Sequence, residues 1–270
     1  MGRATGMKIA ICFFGLTRNL KDHTLDSIEK HLFAPAAELD PAYKKFGHFN
    51  LVPRLSNPRS GEEDIPIDPD ESKLLNCDVV AHTDQSWLDH HLDYEQIQKY
   101  GDEWKDDFAS LKNLIRQLYS LNQVTEILLQ AGQHFDLVIY SRPDLRFQSR
   151  VAIPRIRPRT LYTPWFAKGG GLNDRFAMGD FETMAIYGRR YALMHQYCEE
   201  TGKPLHAERF LYWHGRRHRL RNADLMSIEF CRVRADGRVA PSDLRVQDKF
   251  KYRLKAPVRL LKNLVPVRWT

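Results

Sequence analysis

The residue types best suited to chemistry gather where a strand stops. Residues 135 to 147 read FDLVIYSRPDLRF, an apolar run that closes on Arg142, Pro143 and Asp144. A carboxylate beside a guanidinium at the mouth of a buried strand suits a phosphate ligand with a divalent cation: the carboxylate holds the metal, and metal and arginine offset the phosphate charge. Pro143 fixes its own φ and biases Arg142 towards extended backbone, so the turn is stiff. The plainer reading of the same residues is an Arg–Asp ion pair that closes the strand end.

Other clusters carry less. His214 and His218 have the i, i+4 spacing of a zinc pair, but no third ligand lies nearby and four arginines surround them, so the expectation is a solvated basic surface. His90 and His91, set between aspartates, are expected to be exposed. The glycine run KGGGLNDRFAMG, residues 168 to 179, reads as a mobile loop that enters an acidic turn. No GxxxxGK[ST] is present, and no GxGxxG follows the first strand, which argues against P-loop enzymes and the dinucleotide phosphate turn.

These residues need elements to hold them. KIAICFFG, residues 8 to 15, is apolar almost without interruption and ends in glycine, as a strand covered on both faces does. Leu25, Ile28, Leu32 and Phe33 then follow helical spacing. Residues 34 to 76, rich in proline and carrying an acidic patch, read as an irregular surface insertion. CDVVAHT (77 to 83) predicts a short strand, the period from Trp104 to Leu129 a long helix, and FDLVIYS a third strand. Strands alternating with helices predict an α/β fold with a mainly parallel, Rossmann-like sheet, in which ligands bind beyond the carboxyl ends of the strands. The stripe Phe181, Met184, Ala185, Tyr187, Tyr191, Met194 and Tyr197 is core packing.

Composition bounds the rest. The chain of 270 residues is expected to form one domain over 1 to 248, with a nucleotide-binding half at about 7 to 150 and a second half at about 151 to 248. Its four cysteines are widely spaced with no CxxC, which predicts reduced, packed thiols. The net charge of +7 equals the seven cations of residues 249 to 270, KFKYRLKAPVRLLKNLVPVRWT, leaving the remainder neutral. Leucines, valines and a tryptophan among those cations suit an anionic membrane surface, although Pro257 and Pro266 prevent one continuous helix. Packing of this tail on the domain is the alternative. A neutral remainder argues against a broad nucleic-acid footprint. No run reaches the roughly 18 apolar residues of a membrane span, and MGRATGM lacks a secretory core. The expected location is therefore cytoplasmic, peripheral to the inner face of a membrane.

Four blocks, IAICFFGLTRN, FDLVIYSRPDL, LNDRFAMGDFETMAIYGRRY and HAERFLYWHG, resemble the surface-polysaccharide glycosyltransferases of bacteria and large viruses that have the GT-A fold, over residues 8 to 235. The resemblance implies a GT-A-like sheet with an acceptor-side α+β half, and an enzyme that moves a sugar from a nucleotide-diphosphate donor to a glycan or lipid-linked acceptor, with inversion. It implies that Asp144 binds a divalent cation (Mn or Mg), with Arg142 standing where a first carboxylate usually would. Gly15, Thr17 and Arg18 would meet the nucleotide, and Asn173 and Arg175 the nucleotide sugar. Glu208, opening a helical segment, would be the catalytic base, with Asp174 as sugar contact or competing base. The alternatives are a non-catalytic GT-A-like binding module and, from the basic C-terminal region, a nucleic-acid-binding protein. For Glu208, the plain reading is a helix N-terminal carboxylate stabilised by the macrodipole.

Overall fold

The computed structural model describes residues 6–240. The tail at 249 to 270 lies outside the described residues, as does the question of what it touches.

β1 (Ile9–Gly15) is buried along its whole length. A broken helical stretch follows it: α1 (Leu20–His23), α2 (Leu25–Ile28), a π turn and α3 (Ala34–Leu39). β2 (Lys44–Leu51) then lies parallel to β1. The expected irregular insertion at 34 to 76 is therefore corrected, because it contains a central strand of the sheet. Beyond it, β3 (Arg54–Asn57) and β4 (Glu62–Pro66) form a hairpin of their own, and β5 (Val79–Asp84) pairs with β2 at the sheet edge. α4 (Gln85–His91) and α5 (Glu95–Gln98) lead to the long α6 (Ala109–Gln130).

β6 (Leu137–Ser141) pairs with β1 on the side opposite β2. After it come β7 (Leu145–Phe147), β8 (Thr160–Pro164), β9 (Phe176–Gly179), α7 (Phe181–Gly188), α8 (Met194–Thr201), α9 (Ala207–Arg217), β10 (Arg221–Leu225) and β11 (Phe230–Arg232). The sheet order is β5-β2-β1-β6-β9-β8-β10, with β9 antiparallel to both neighbours and every other pairing parallel. This is the expected α/β fold with a mainly parallel sheet flanked by helices. It runs without a break across residue 150.

Alternation along the strands divides the core between the two faces. Ala10, Cys12, Phe14, Val138 and Tyr140 belong to the cluster that includes α6, α7, α8 and α9, whereas Ile9, Ile11, Phe13, Leu137 and Ile139 pack with Leu20, Ile28 and Leu32. Both faces are thus covered, which is why β1 and β6 read as unbroken apolar runs. α6 buries Leu111, Leu114, Ile115, Leu118, Leu121, Val124 and Leu128, each contributing about 1.5–3 kcal/mol, and ends before Gly132 at φ 64. None of the four cysteines is in a disulfide, and Cys12, Cys198 and Cys231 are buried. Among the described residues no helix is long and apolar enough to cross a membrane.

Candidate active site

Topology brings the functional residues to one edge. β2 and β6 leave β1 on opposite sides, which creates a switch point at the carboxyl end of β1. Because β9 is antiparallel, with Phe176 opposite Ser141, the start of β9 arrives at the edge where β6 ends, and the Arg142 amide donates to the Arg175 carbonyl at 3.2 Å. A cleft of about 390 Å³ opens there. Its wall includes Gly15, Arg18, Arg142, Asp174, Arg175 and Glu208, six of the nine residues expected from sequence.

The other three lie behind the wall. Thr17 is buried. Asn173 is fully buried and braces its own loop, donating to the Phe166 carbonyl at 3.0 Å and accepting from the Arg175 amide at 3.0 Å. Asp144 is buried as well, with both carboxylate oxygens taken by Arg142: Nε donates to Oδ1 at 2.8 Å and Nη2 to Oδ2, while Arg18 Nε stands 3.7 Å away. Burial alone would raise this carboxyl, but Arg142, Arg18 and Arg232 hold it at about 2. Each oxygen of this buried carboxylate is already paired with Arg142, and among the described residues no group of three or more His, Cys, Asp or Glu is arranged to hold a metal. A divalent cation at Asp144 would have to displace Arg142 from a buried carboxylate, so the side chains as arranged here do not fit one.

A second chain of contacts leads from Arg142 to the reacting end of the cleft. Arg142 Nη1 donates to Gln117 Oε1 at 2.8 Å, and Gln117 Nε2 donates to Asp174 Oδ2 at 2.9 Å. Gln117 sits on α6 and orients both charged groups through one amide. Glu208, in the first turn of α9, has Arg175 Nη2 at 3.8 Å and His206 Nδ1 at 3.4 Å. Burial first, and then the charge of Asp174, push its carboxyl up to about 7, against the opposing pull of Arg175. The macrodipole acts in the lowering direction and is outweighed. Trp104 stacks on His206 with ring centroids 5.6 Å apart.

The glycine run is tied to this carboxylate. The Gly171 amide donates to the Lys168 carbonyl at 2.6 Å, and the Leu172 amide donates to the Glu208 carbonyl at 3.0 Å. A Cβ on Gly171 would lie 1.9 Å from that carbonyl oxygen, so the loop passes under the start of α9 only because the residue has no side chain. The expected mobile loop is a packed strut.

Sequence reasoning missed Arg232, Arg234, Gln117, Trp104 and Asn50, all on the cleft wall. The arginines carried a readable signal: in CRVRA the buried Cys231, Val233 and Ala235 alternate with Arg232 and Arg234, the period of a strand with one charged face. Asn50 donates to the Arg116 carbonyl at 3.1 Å, and its buried Oδ1 has no hydrogen-bond partner. His214 also departs from expectation. It is buried rather than solvated, bonded through Nε2 to the Ile186 carbonyl at 2.9 Å, and burial lowers its pKa to about 3. His90 and His91 are exposed.

No family model matches the chain, and no curated protein matches it. Among solved structures, one that is similar is mouse Xyloside xylosyltransferase 1 in its apo form, at 14% identity and a TM-score of 0.43, covering 81% of this chain and 84% of that one. A likeness at this level says nothing of the site, whose chemistry rests on the side chains themselves.

Proposed function

We propose that this protein is a glycosyltransferase that moves a sugar from a nucleotide-diphosphate donor to a hydroxyl of a glycan or lipid-linked acceptor, as in surface-polysaccharide biosynthesis, with inversion at the anomeric carbon. The observation that carries the reading is the pairing, in one cleft, of a carboxyl poised at about 7 with a wall of guanidiniums. A base near neutrality can both hold and release a proton at working pH, and cations placed where a diphosphate departs stabilise the charge that develops.

In the reaction, the acceptor oxygen attacks the anomeric carbon while the bond from that carbon to the diphosphate oxygen breaks. The electron pair leaves with the diphosphate. The acceptor proton passes to Glu208. A single displacement of this kind inverts the carbon. Asp174, held by Gln117, is positioned to accept from the donor sugar's hydroxyls. Trp104, with His206 stacked on its ring and Arg59 over it, gives the cleft wall an aromatic element for an acceptor sugar.

The test is incubation with a panel of nucleotide sugars and hydroxyl acceptors, following release of the nucleoside diphosphate. Glu208→Gln is expected to bind donor as the wild type does and to release none. Donor binding by the wild type with no turnover on any acceptor would favour a non-catalytic module instead.

A further inference from the structure

Around the buried Asp144 the chain assembles guanidiniums from three distant segments: Arg18 from the loop after β1, Arg142 from the end of β6, and Arg232 and Arg234 from β11 and the residues after it. All four line the cleft. Antiparallel pairing of β11 with β7, and the Val233 amide donating to the Asp144 carbonyl at 2.8 Å, set the register that turns Arg232 and Arg234 to this face. The carboxylates felt by both Arg18 and Arg234 are Asp144 and Glu62. Glu62 is fully buried, accepts from the Ala235 amide at 2.7 Å, and stands 3.4 Å from Arg18 Nη1.

The cluster is held together at a cost. Burial lowers the pKa of Arg18, as do its neighbours Arg142 and Arg232. Burial and then Arg232 and Arg18 bring Arg234 down to about 10. Arg18 Nε is buried with no hydrogen-bond acceptor. Like charges in mutual repulsion on the wall of an open cleft are the arrangement that a multiply charged anion relieves.

We infer that Arg18, Arg142, Arg232 and Arg234 form a diphosphate cradle that does without a divalent cation, with Asp144 serving as the buried anchor that holds two of the guanidiniums in place. The inference rests on the nucleotide-sugar reading above and adds what binds the donor's charge. A diphosphate linked at both ends carries one negative charge on each phosphate, and planar guanidiniums meet phosphate oxygens through paired N–H donors. Repulsion within the cluster falls when the anion arrives and returns when it leaves.

The experiment is calorimetric titration of the full chain with inorganic pyrophosphate, and with uridine, guanosine and adenosine diphosphates and their sugars, in EDTA and again in manganese. The cradle predicts binding of pyrophosphate and of at least one nucleotide in EDTA, with no gain from manganese. Arg234→Gln should weaken both by about tenfold to a hundredfold, and Arg234→Lys should restore part of the loss. Because Arg234 is repelled by its neighbours, Arg234→Gln should leave the ligand-free Tm unchanged or raised, which a merely structural arginine would not do. Nucleotide binding that requires manganese would overturn the cradle and leave the transferase reading standing. Pyrophosphate binding in EDTA with no nucleotide or nucleotide sugar bound would overturn the transferase reading, and with it the donor-binding role of the cradle. Binding of neither probe in either condition would overturn both.

Discussion

Glu208 stands in the first turn of α9, where the helix favours a charged carboxylate, yet burial and Asp174 drive its carboxyl up to about 7. A base must be deprotonated to work, so kcat/KM is expected to rise with pH through about 7. Asp174→Asn, which removes the neighbouring charge, should move that limb to lower pH. A limb that ignored Asp174→Asn would assign the proton to another group. Stability runs the other way. A carboxyl raised from 4.5 favours the proton-bound folded state, so its contribution is complete below 4.5 and lost as pH rises through about 7, up to about 3 kcal/mol. The Tm of Glu208→Gln should be flatter than wild type over that window. Asp144 is the opposite case. Held at about 2 against an ordinary 3.8, it contributes stability above 3.8 that is lost as pH falls through 2. Asp144→Asn leaves Arg142 and Arg18 without their shared partner and is expected to cost about 3–5 kcal/mol at neutral pH. In chemical denaturation the gap to wild type should close as pH approaches 2.

The elements that carry these side chains differ in how far they depend on local sequence. Gly171 and α9 are a close-packed pair, so Gly171→Ala must push the loop or the helix start aside, at a cost of about 1–3 kcal/mol. Turnover should fall further than stability, because the part displaced is the backbone of Glu208. Gly170→Ala is the control: its Cβ would meet only Arg209 at 3.8 Å, so its cost is the left-handed φ of 83, about 1 kcal/mol, with turnover kept. Equal loss of turnover in the two variants would mean that the strut does not position Glu208. β1, β6, α6 and α9 were legible because their periodicity is local and matches the faces they bury. β2 was not. KKFGHFNL buries His48 and Asn50, polar residues whose partners, Ser120, Thr83 and the Arg116 carbonyl, come from α6 and β5, so no apolar run announces the strand. The Arg142–Asp144 ion pair was legible as one of the two readings of that strand end. Its extension was not, because it depends on Arg18, from a different strand end, and on Arg232, brought in by β11.

At the scale of the whole chain, the sequence divides its charge between two places. Within residues 1 to 248 cations and anions balance, and the cations of the cleft are held in a cluster built around buried carboxylates. The entire excess of +7 belongs to residues 249 to 270, interleaved with leucine, valine and tryptophan. Cations near an anionic bilayer are worth about 1 kcal/mol each at the surface, and apolar groups entering the interface add to this. We propose that this segment brings the cleft to lipid-linked acceptors. The full chain is expected to sediment with vesicles containing phosphatidylserine, to remain in solution with neutral vesicles, and to be released as salt shortens the Debye length. A chain ending at residue 248 should lose vesicle binding while keeping its pyrophosphate affinity, because every arginine of the cluster precedes the cut. Vesicle binding that survived the truncation would move the attraction to the folded domain, and loss of pyrophosphate affinity would make the tail part of the domain's packing.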